Sequence, residues 1–123
     1  MALGAFSVSL NVKDIQKSLT FYEKLEFTSF AGNVDDGWLI LNNDGCVIGL
    51  FQNMLERNTM TFNPGWDQAG QPVGEFTDIR KLQASYQEQG LEVEGGIDAA
   101  TSGPASFIVI DPDGNPILFD QHV

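Results

Sequence analysis

The sequence predicts an α+β fold in which two βαβββ modules follow one another along the chain. Two segments, Asp44–Phe51 and Asp113–Asp120, each consist of a tight Asp-Gly turn followed by an apolar strand, and they lie a little over half the chain apart. Each is preceded by a run of helical period that follows an aspartate, at Asp14–Leu25 and Asp78–Gln89. A repeat of this length indicates duplication of one supersecondary unit.

The first module begins with Phe6–Val12, where apolar and polar residues alternate as they do in a half-buried strand. Asp14 can cap the helix that follows, because its carboxylate can accept a hydrogen bond from the first turn. Three further strands are predicted at Thr28–Ala31, Trp38–Leu41 and Cys46–Phe51. The last two are joined by Asn42–Gly45, which favours a hairpin turn because Asn and Gly accept positive φ at low cost.

The second module repeats this order, with a strand at Thr59–Phe62 and a helix from Asp78 that Gly90 ends. Its remaining strands are predicted at Val93–Ile97, Ala105–Ile110 and Pro116–Phe119. The segment 63–74, rich in Gly, Pro and Gln, is predicted as a structureless loop, and loops of that length are often functional.

The length of 123 residues predicts a single domain made of these two modules, at about residues 1–55 and 56–123. Each module alone would leave a sheet face uncovered, so we expect the two to share a core.

The net charge of −11, with six scattered Lys and Arg, argues against nucleic acid as a partner. No stretch is apolar enough to span a membrane, and Met1–Leu10 has no basic residue before its apolar stretch, as a secretory signal would have, so a cytoplasmic location is expected. The single Cys46 is predicted to be a small buried hydrophobe.

Three stretches resemble the vicinal oxygen chelate superfamily, which includes glyoxalase I, bleomycin-resistance proteins, fosfomycin-resistance enzymes and extradiol dioxygenases. They are Ser9–Asp14, Ser18–Tyr22 and the closing turn Asp111–Ile117. The resemblance covers essentially the whole chain in the right order. It implies a glyoxalase/bleomycin resistance-like fold, in which the modules form a curved, cleft-bearing mixed sheet, and it also implies a homodimer.

The metal-dependent relatives hold a divalent ion through His, Gln or Glu side chains on the first and last strands of each module. The resemblance puts Ser7, Gly49, Thr61 and Leu118 at these positions. Gly49 and Leu118 have no ligating side chain, and a hydroxyl is a poor ligand beside imidazole or carboxylate. The expectation is therefore that no metal and no other cofactor is bound, with a divalent ion on atypical ligands as the alternative.

Strand alternation predicts which side chains line the concave face. In the phase that packs Val8 and Leu10 under the helix, the predicted inward residues are Ser7, Ser9, Asn11, Val47, Gly49, Phe51, Thr59, Thr61, Asn63, Pro116, Leu118 and Asp120. A few polar groups among apolar ones are typical of a small-molecule site. The alternative is that these side chains merely fill the interior.

Aromatic residues and one carboxylate complete the candidate site. Trp66 of the 63–74 loop, with Phe62 and Trp38, could stack on a flat ligand, or Trp66 could instead pack the loop onto the domain or a partner subunit. Asp120 is the one inward carboxylate, so it is the candidate general base, and the alternative is that it is solvated or pairs with a neighbouring residue. His122 is expected at the surface.

The leading functional hypothesis is a metal-free protein that binds a small aromatic or cationic molecule, as the resemblance to bleomycin-resistance proteins implies. The first alternative is a lyase, isomerase or dioxygenase with an atypical metal site or a metal-independent base such as Asp120. The second is an interaction module without a small ligand. The excess of negative charge is compatible with a cationic ligand, although it also keeps a protein soluble.

Overall fold

The computed structural model describes all residues, 1–123, and the chain forms two compact units. The first unit is Ser7–Thr59, and the second unit is Met60–Val123 together with Met1–Phe6. The strands are β1 (Ala5–Val12), β2 (Thr28–Asn33), β3 (Trp38–Asn43), β4 (Cys46–Gln52), β5 (Thr59–Asn63), β6 (Ala105–Ile110) and β7 (Pro116–Gln121), and the helices are α1 (Ile15–Lys24) and α2 (Ile79–Glu88). A short 3-10 helix, Val34–Asp36, precedes β3. The α+β class is confirmed.

The first unit orders its strands β2-β3-β4-β1, with β1 parallel to β4 and the other pairs antiparallel. Its buried core consists of Ile15, Leu39, Leu41 and Leu50. The predicted cap of α1 is confirmed, because Asp14 accepts a hydrogen bond from the backbone N–H of Lys17 at 3.2 Å. The predicted hairpin turn is also confirmed, since Asp44 and Gly45 both have positive φ, 48° and 84°.

The second unit orders its strands β5-β7-β6, with β5 parallel and β6 antiparallel to β7. Its core contains the buried residues Ile79, Leu82, Phe107, Val109 and Phe119. The helix α2 is capped by Asp78, whose carboxylate accepts the backbone N–H of Arg80 at 2.9 Å. Gly90, with φ 87°, follows the helix end as predicted.

Two sequence expectations about these elements are wrong. The predicted strand 93–97 is reduced to one bridge, in which Glu94 and Ile108 exchange backbone hydrogen bonds of 2.8 and 3.0 Å. The strand cannot continue because Gly95 turns the backbone to φ 81° and the buried Gln83 takes both backbone groups of Ile97. Cys46 is exposed instead of buried, because it lies at the hairpin end of β4.

Neither helix has the length and the apolar character needed to cross a bilayer.

Candidate functional site

The face of the first unit opposite its core carries two rows of side chains across β1, β4 and β3. Residues paired in adjacent strands point to the same side of a sheet. The pairing gives one row of Asn11, Phe51 and Trp38, and a second row of Ser9, Gly49 and Ile40. The intervening row, Leu10, Leu50 and Leu39, belongs to the core. We call the side opposite that core the first open face, and Ser7 precedes Ser9 on it by one strand repeat.

The absence of a side chain at Gly49 leaves room for the ring of Phe51 on the first open face. A Cβ added at Gly49 would lie 2.7 Å from Cε2 and 3.3 Å from Cζ of Phe51, and 3.4 Å from Cδ1 of Ile40. Real Cβ atoms essentially never approach another atom as closely as 2.7 Å. The edge of the Phe51 ring thus occupies the space beside Gly49, the position to which the resemblance assigns an acidic metal ligand.

Asn11 has a structural role that its strand position did not reveal. Its side-chain oxygen accepts the backbone N–H of Leu55 at 3.1 Å, and its own backbone N–H donates to Oδ1 of Asn58 at 2.9 Å. Asn11 therefore fixes the connection that leaves β4.

The second unit has a corresponding face opposite its own core, which we call the second open face. Thr61 pairs with Leu118 and Leu118 with Ile108, and further along the strands Asp120 pairs with Ser106. Of these residues Thr61 is buried, with 7% of its surface exposed, while Leu118 and Asp120 are half-buried. Thr61, Leu118 and Asp120 thus share the second open face, as strand alternation predicts.

Phe62 lies on the core side of β5. Its ring stacks on Phe119 with centroids 5.6 Å apart and an interplanar angle of 23°, and it also contacts the ring of Phe6 at 5.1 Å. The side chain is thus directed away from the face that carries Thr61. This corrects the expectation that Phe62 stacks on a ligand, since its ring belongs to the apolar layer under α2.

Trp66, His122 and Asp120 form a cluster at the end of β7. The Trp66 indole stacks on the His122 imidazole, with ring centroids 4.3 Å apart and planes within 11° of parallel. Nε2 of His122 lies 3.2 Å from Oδ2 of Asp120. Sequence reasoning placed His122 at the surface and gave it no role in a site. The available signal was its spacing of two residues from Asp120, which puts both side chains on one face of an extended strand.

The segment 63–74, predicted as structureless, is instead an ordered turn that presents Trp66. Trp66 forms a bridge with Pro72, and the backbone N–H of Asp67 donates to the carbonyl of Gln71 at 3.0 Å. The Asp67 carboxylate also accepts the backbone N–H of Gln71 at 3.0 Å. The Gly and Pro content alone did not indicate that the Asp67 carboxylate would accept a hydrogen bond from the backbone of its own loop.

Two contacts fix this turn to the rest of the second unit. The Gln68 carboxamide donates to the carbonyl of Phe6 at 2.9 Å and accepts the backbone N–H of the same residue. Gly65 has φ 91°, and a Cβ there would lie 2.4 Å from Cγ2 of Val123. Only glycine permits this close approach of the turn to the C-terminal segment.

The carboxylates with shifted pKa values lie outside both open faces. Burial raises the pKa of Asp78, but hydrogen bonds from Arg80 and Gln121 and the positive charge of Arg80 outweigh it and hold the pKa below the ordinary 3.8. Hydrogen bonds from the side chain and backbone of Asn115 lower the pKa of Asp111. Both groups stabilise local structure, at the start of α2 and in the turn before β7.

The residues at the four family ligand positions do not fit a divalent ion. Ser7 and Thr61 offer hydroxyls, and Gly49 and Leu118 offer no donor atom. The chain also has no group of three or more His, Cys, Asp or Glu side chains that could hold a metal ion. Divalent ions in proteins are held mainly by imidazole, thiolate and carboxylate ligands. The donor atoms at these four positions therefore do not match the chemistry of a divalent metal site.

Comparison with known proteins identifies the family. Residues 4–119 match the Glyoxalase/Bleomycin resistance protein/Dioxygenase superfamily, which is almost the whole chain. The chain belongs to this superfamily. No curated protein matches the sequence.

Solved structures share the fold of this superfamily member. A glyoxalase/bleomycin resistance protein/dioxygenase superfamily member from Vibrio splendidus 12B01 is 22% identical, with a TM-score of 0.64 and coverage of 94% of this chain and 97% of that one. A Legionella pneumophila protein described as NAD-dependent benzaldehyde dehydrogenase is 12% identical, with a TM-score of 0.66 and coverage of 96% and 99%. The E323L mutant of homoprotocatechuate 2,3-dioxygenase from Brevibacterium fuscum is 20% identical, with a TM-score of 0.61, and 98% of this chain matches 33% of that protein. At these identities the likeness concerns the fold.

Proposed function

We propose that the protein binds a small aromatic or amphipathic molecule without a metal, in the manner of bleomycin-resistance-type sequestration proteins. The observation that carries this proposal is the Phe51 ring beside Gly49, because an aromatic ring occupies the space that an acidic metal ligand at position 49 would need. Ser9 and Asn11 lie on the same face beside it. A mainly apolar surface with a few polar groups is typical of small-molecule sites.

The charge of the protein supports a ligand that is neutral or cationic. With 17 acidic and six basic side chains the net charge is −11, which raises the local concentration of cations and disfavours anions.

The proposal includes a cytoplasmic homodimer that uses neither nucleic acid nor a membrane as a partner. Sedimentation of the purified protein tests the dimer, and a single species at the chain mass of 13.4 kDa would contradict it.

Thermal-shift screening with aromatic and cationic compounds tests the binding proposal, and quenching of tryptophan fluorescence tests direct contact. We expect at least one compound class to raise the melting temperature and to lose affinity in Phe51→Ala. Phe30→Ala is the matched control, because Phe30 is an exposed phenylalanine of β2 outside both rows of the open face. Absence of any shift across the panel, or equal losses in both variants, would contradict the proposal.

A second candidate function is a metal-independent enzyme of the lyase or isomerase type. The contact of 3.2 Å between Asp120 and His122 favours it, since a carboxylate paired with an imidazole is a common arrangement for proton transfer. Turnover that resists chelators and is lost in Asp120→Asn would support this candidate. Turnover that a chelator abolishes, or that Asp120→Asn leaves unchanged, would contradict it.

A further inference from the structure

The start of the segment 63–74 runs beside the last residues of the chain and contacts them at three points. The contacting pairs are Asn63 with Asp120, Gly65 with Val123, and Trp66 with His122. The first contact is a hydrogen bond of 2.8 Å from a carboxamide to a backbone carbonyl, and the second is a close approach that requires glycine. The third joins two rings, and one of them is an imidazole. Histidine is the side chain whose charge ordinarily changes between about pH 5 and pH 8, so this third contact responds to pH.

His122 lies against an aromatic face and beside a carboxylate. Its imidazole is parallel to the Trp66 indole within 11°, with centroids 4.3 Å apart, and its Nε2 is 3.2 Å from Oδ2 of Asp120. A neutral imidazole in this position gains packing but no attraction between opposite charges. An imidazolium gains two attractions at once, to the face of the indole and to the negative carboxylate. The contact of Trp66 with the end of β7 is therefore stronger when His122 carries a proton.

Other carboxylates on the adjoining elements are engaged elsewhere. Within the turn, Asp67 accepts two backbone N–H groups of its own loop, at 2.9 and 3.0 Å. At the start of α2, Asp78 pairs with Arg80 at 2.9 Å. The charge of His122 therefore acts on Asp120.

We propose that the Trp66–His122–Asp120 cluster is a pH-sensitive latch, which holds the turn against the end of β7 more firmly when His122 is protonated than when it is neutral. This inference goes beyond the proposed ligand binding and does not depend on it. By linkage, the stabilisation is present where His122 is charged, and it is lost as the pH rises through the range in which histidine gives up its proton. An aspartate side chain ordinarily stays ionised throughout that range. A rise in pH therefore frees the face of the Trp66 indole that the imidazole covers.

Amide hydrogen exchange of protein without a histidine tag tests the latch at about pH 5 and about pH 8, the two ends of the histidine range. Protection factors are compared, because they remove the intrinsic pH dependence of exchange. We expect residues 66–72 to be about fivefold more protected at the lower pH, since an exposed ion pair and a cation–π contact together correspond to about that factor. His122 is the single histidine of the chain, so its NMR signals show directly where it becomes charged. The protection factors should change over the same pH range as those signals.

Three variants test whether the charge of His122 is the cause. His122→Phe keeps an aromatic ring beside Trp66 but cannot be protonated, so protection of residues 66–72 should no longer depend on pH. Asp120→Asn removes the carboxylate and keeps the attraction to the indole, so the dependence should be reduced but not abolished. Asp113→Asn is the control, because it removes a negative charge from an exposed residue of the turn before β7 and should leave the dependence unchanged.

Equal protection of residues 66–72 at the two pH values in the wild-type protein would overturn the latch. A pH dependence that persists in full in His122→Phe would also overturn it, because another group would then be responsible. The wild-type comparison needs no substitution, so it decides the question even if His122→Phe does not fold.

Discussion

The side-chain oxygen of Gln121 accepts a hydrogen bond from the backbone N–H of Ile79 at 2.8 Å, and Gln52 makes the same contact to Ile15 at 2.9 Å. Each glutamine is the last residue of its strand, and each isoleucine is the first residue of a helix. The first N–H groups of a helix have no partner within it. The duplication therefore extends to an equivalent hydrogen bond in each unit, which joins the glutamine at the end of its last strand to the backbone at the start of its helix.

We expect Gln121→Ala to destabilise the protein by about 1–3 kcal/mol, the usual cost of a buried donor left without a partner. Gln121 is 1% exposed, so water cannot easily replace its carboxamide. Gln52→Ala should cost less, because Gln52 is only half-buried. Chemical denaturation measures both, with the exposed Gln87→Ala of α2 as control. Equal stability of the Gln121 and Gln87 variants would contradict the capping role.

A side chain at position 49 should displace the ring of Phe51. Gly49→Ala puts a Cβ 2.7 Å from that ring, and we expect it to cost about 0.5–1.5 kcal/mol, the usual cost of a side chain forced off its preferred rotamer. Gly96→Ala is the matched control, because a Cβ there meets no atom within 4 Å and the backbone does not require glycine. The free energy of unfolding in urea distinguishes the two variants. If Gly49→Ala proves as stable as the Gly96 variant, the ring is not held against the glycine.

Asp78 should contribute to the acid sensitivity of the fold. Its pKa in the folded protein is below the ordinary 3.8, so its stabilisation is fully present above that value and is lost as the pH falls through the lower, folded pKa. Melting temperatures measured from neutral to acidic pH should therefore fall less steeply in Asp78→Asn than in the wild type. Asp35→Asn removes an exposed carboxylate and should keep the wild-type slope. If the melting temperature falls with pH at the same rate in all three proteins, Asp78 does not contribute to the acid sensitivity.

The turn that presents Trp66 should depend on Gln68. Gln68→Ala removes both hydrogen bonds to the Phe6 backbone, so amide hydrogen exchange in residues 66–72 should become faster while the core of α2 stays protected. Gln71→Ala is the control, because Gln71 takes part in the turn through its backbone groups. Unchanged exchange in the Gln68 variant would show that the turn is held by its own contacts.

The sequence by itself determined the duplication, the α+β class and most of the element boundaries. These features follow from local information: the periods of apolar residues, the capping aspartates Asp14 and Asp78, and the Asp-Gly turns. Strand alternation also determined the side of the sheet for Ser9, Asn11, Thr61 and Leu118, since alternation depends only on register within one strand.

Tertiary structure decided the features that depend on residues far apart in the chain. Strand 93–97 was lost because Gln83 of α2 captures the backbone of Ile97. The contact of Trp66 with His122 joins segments 56 positions apart. Local patterns state which residues can lie on a surface, but such contacts form only when the packed chain brings those surfaces together.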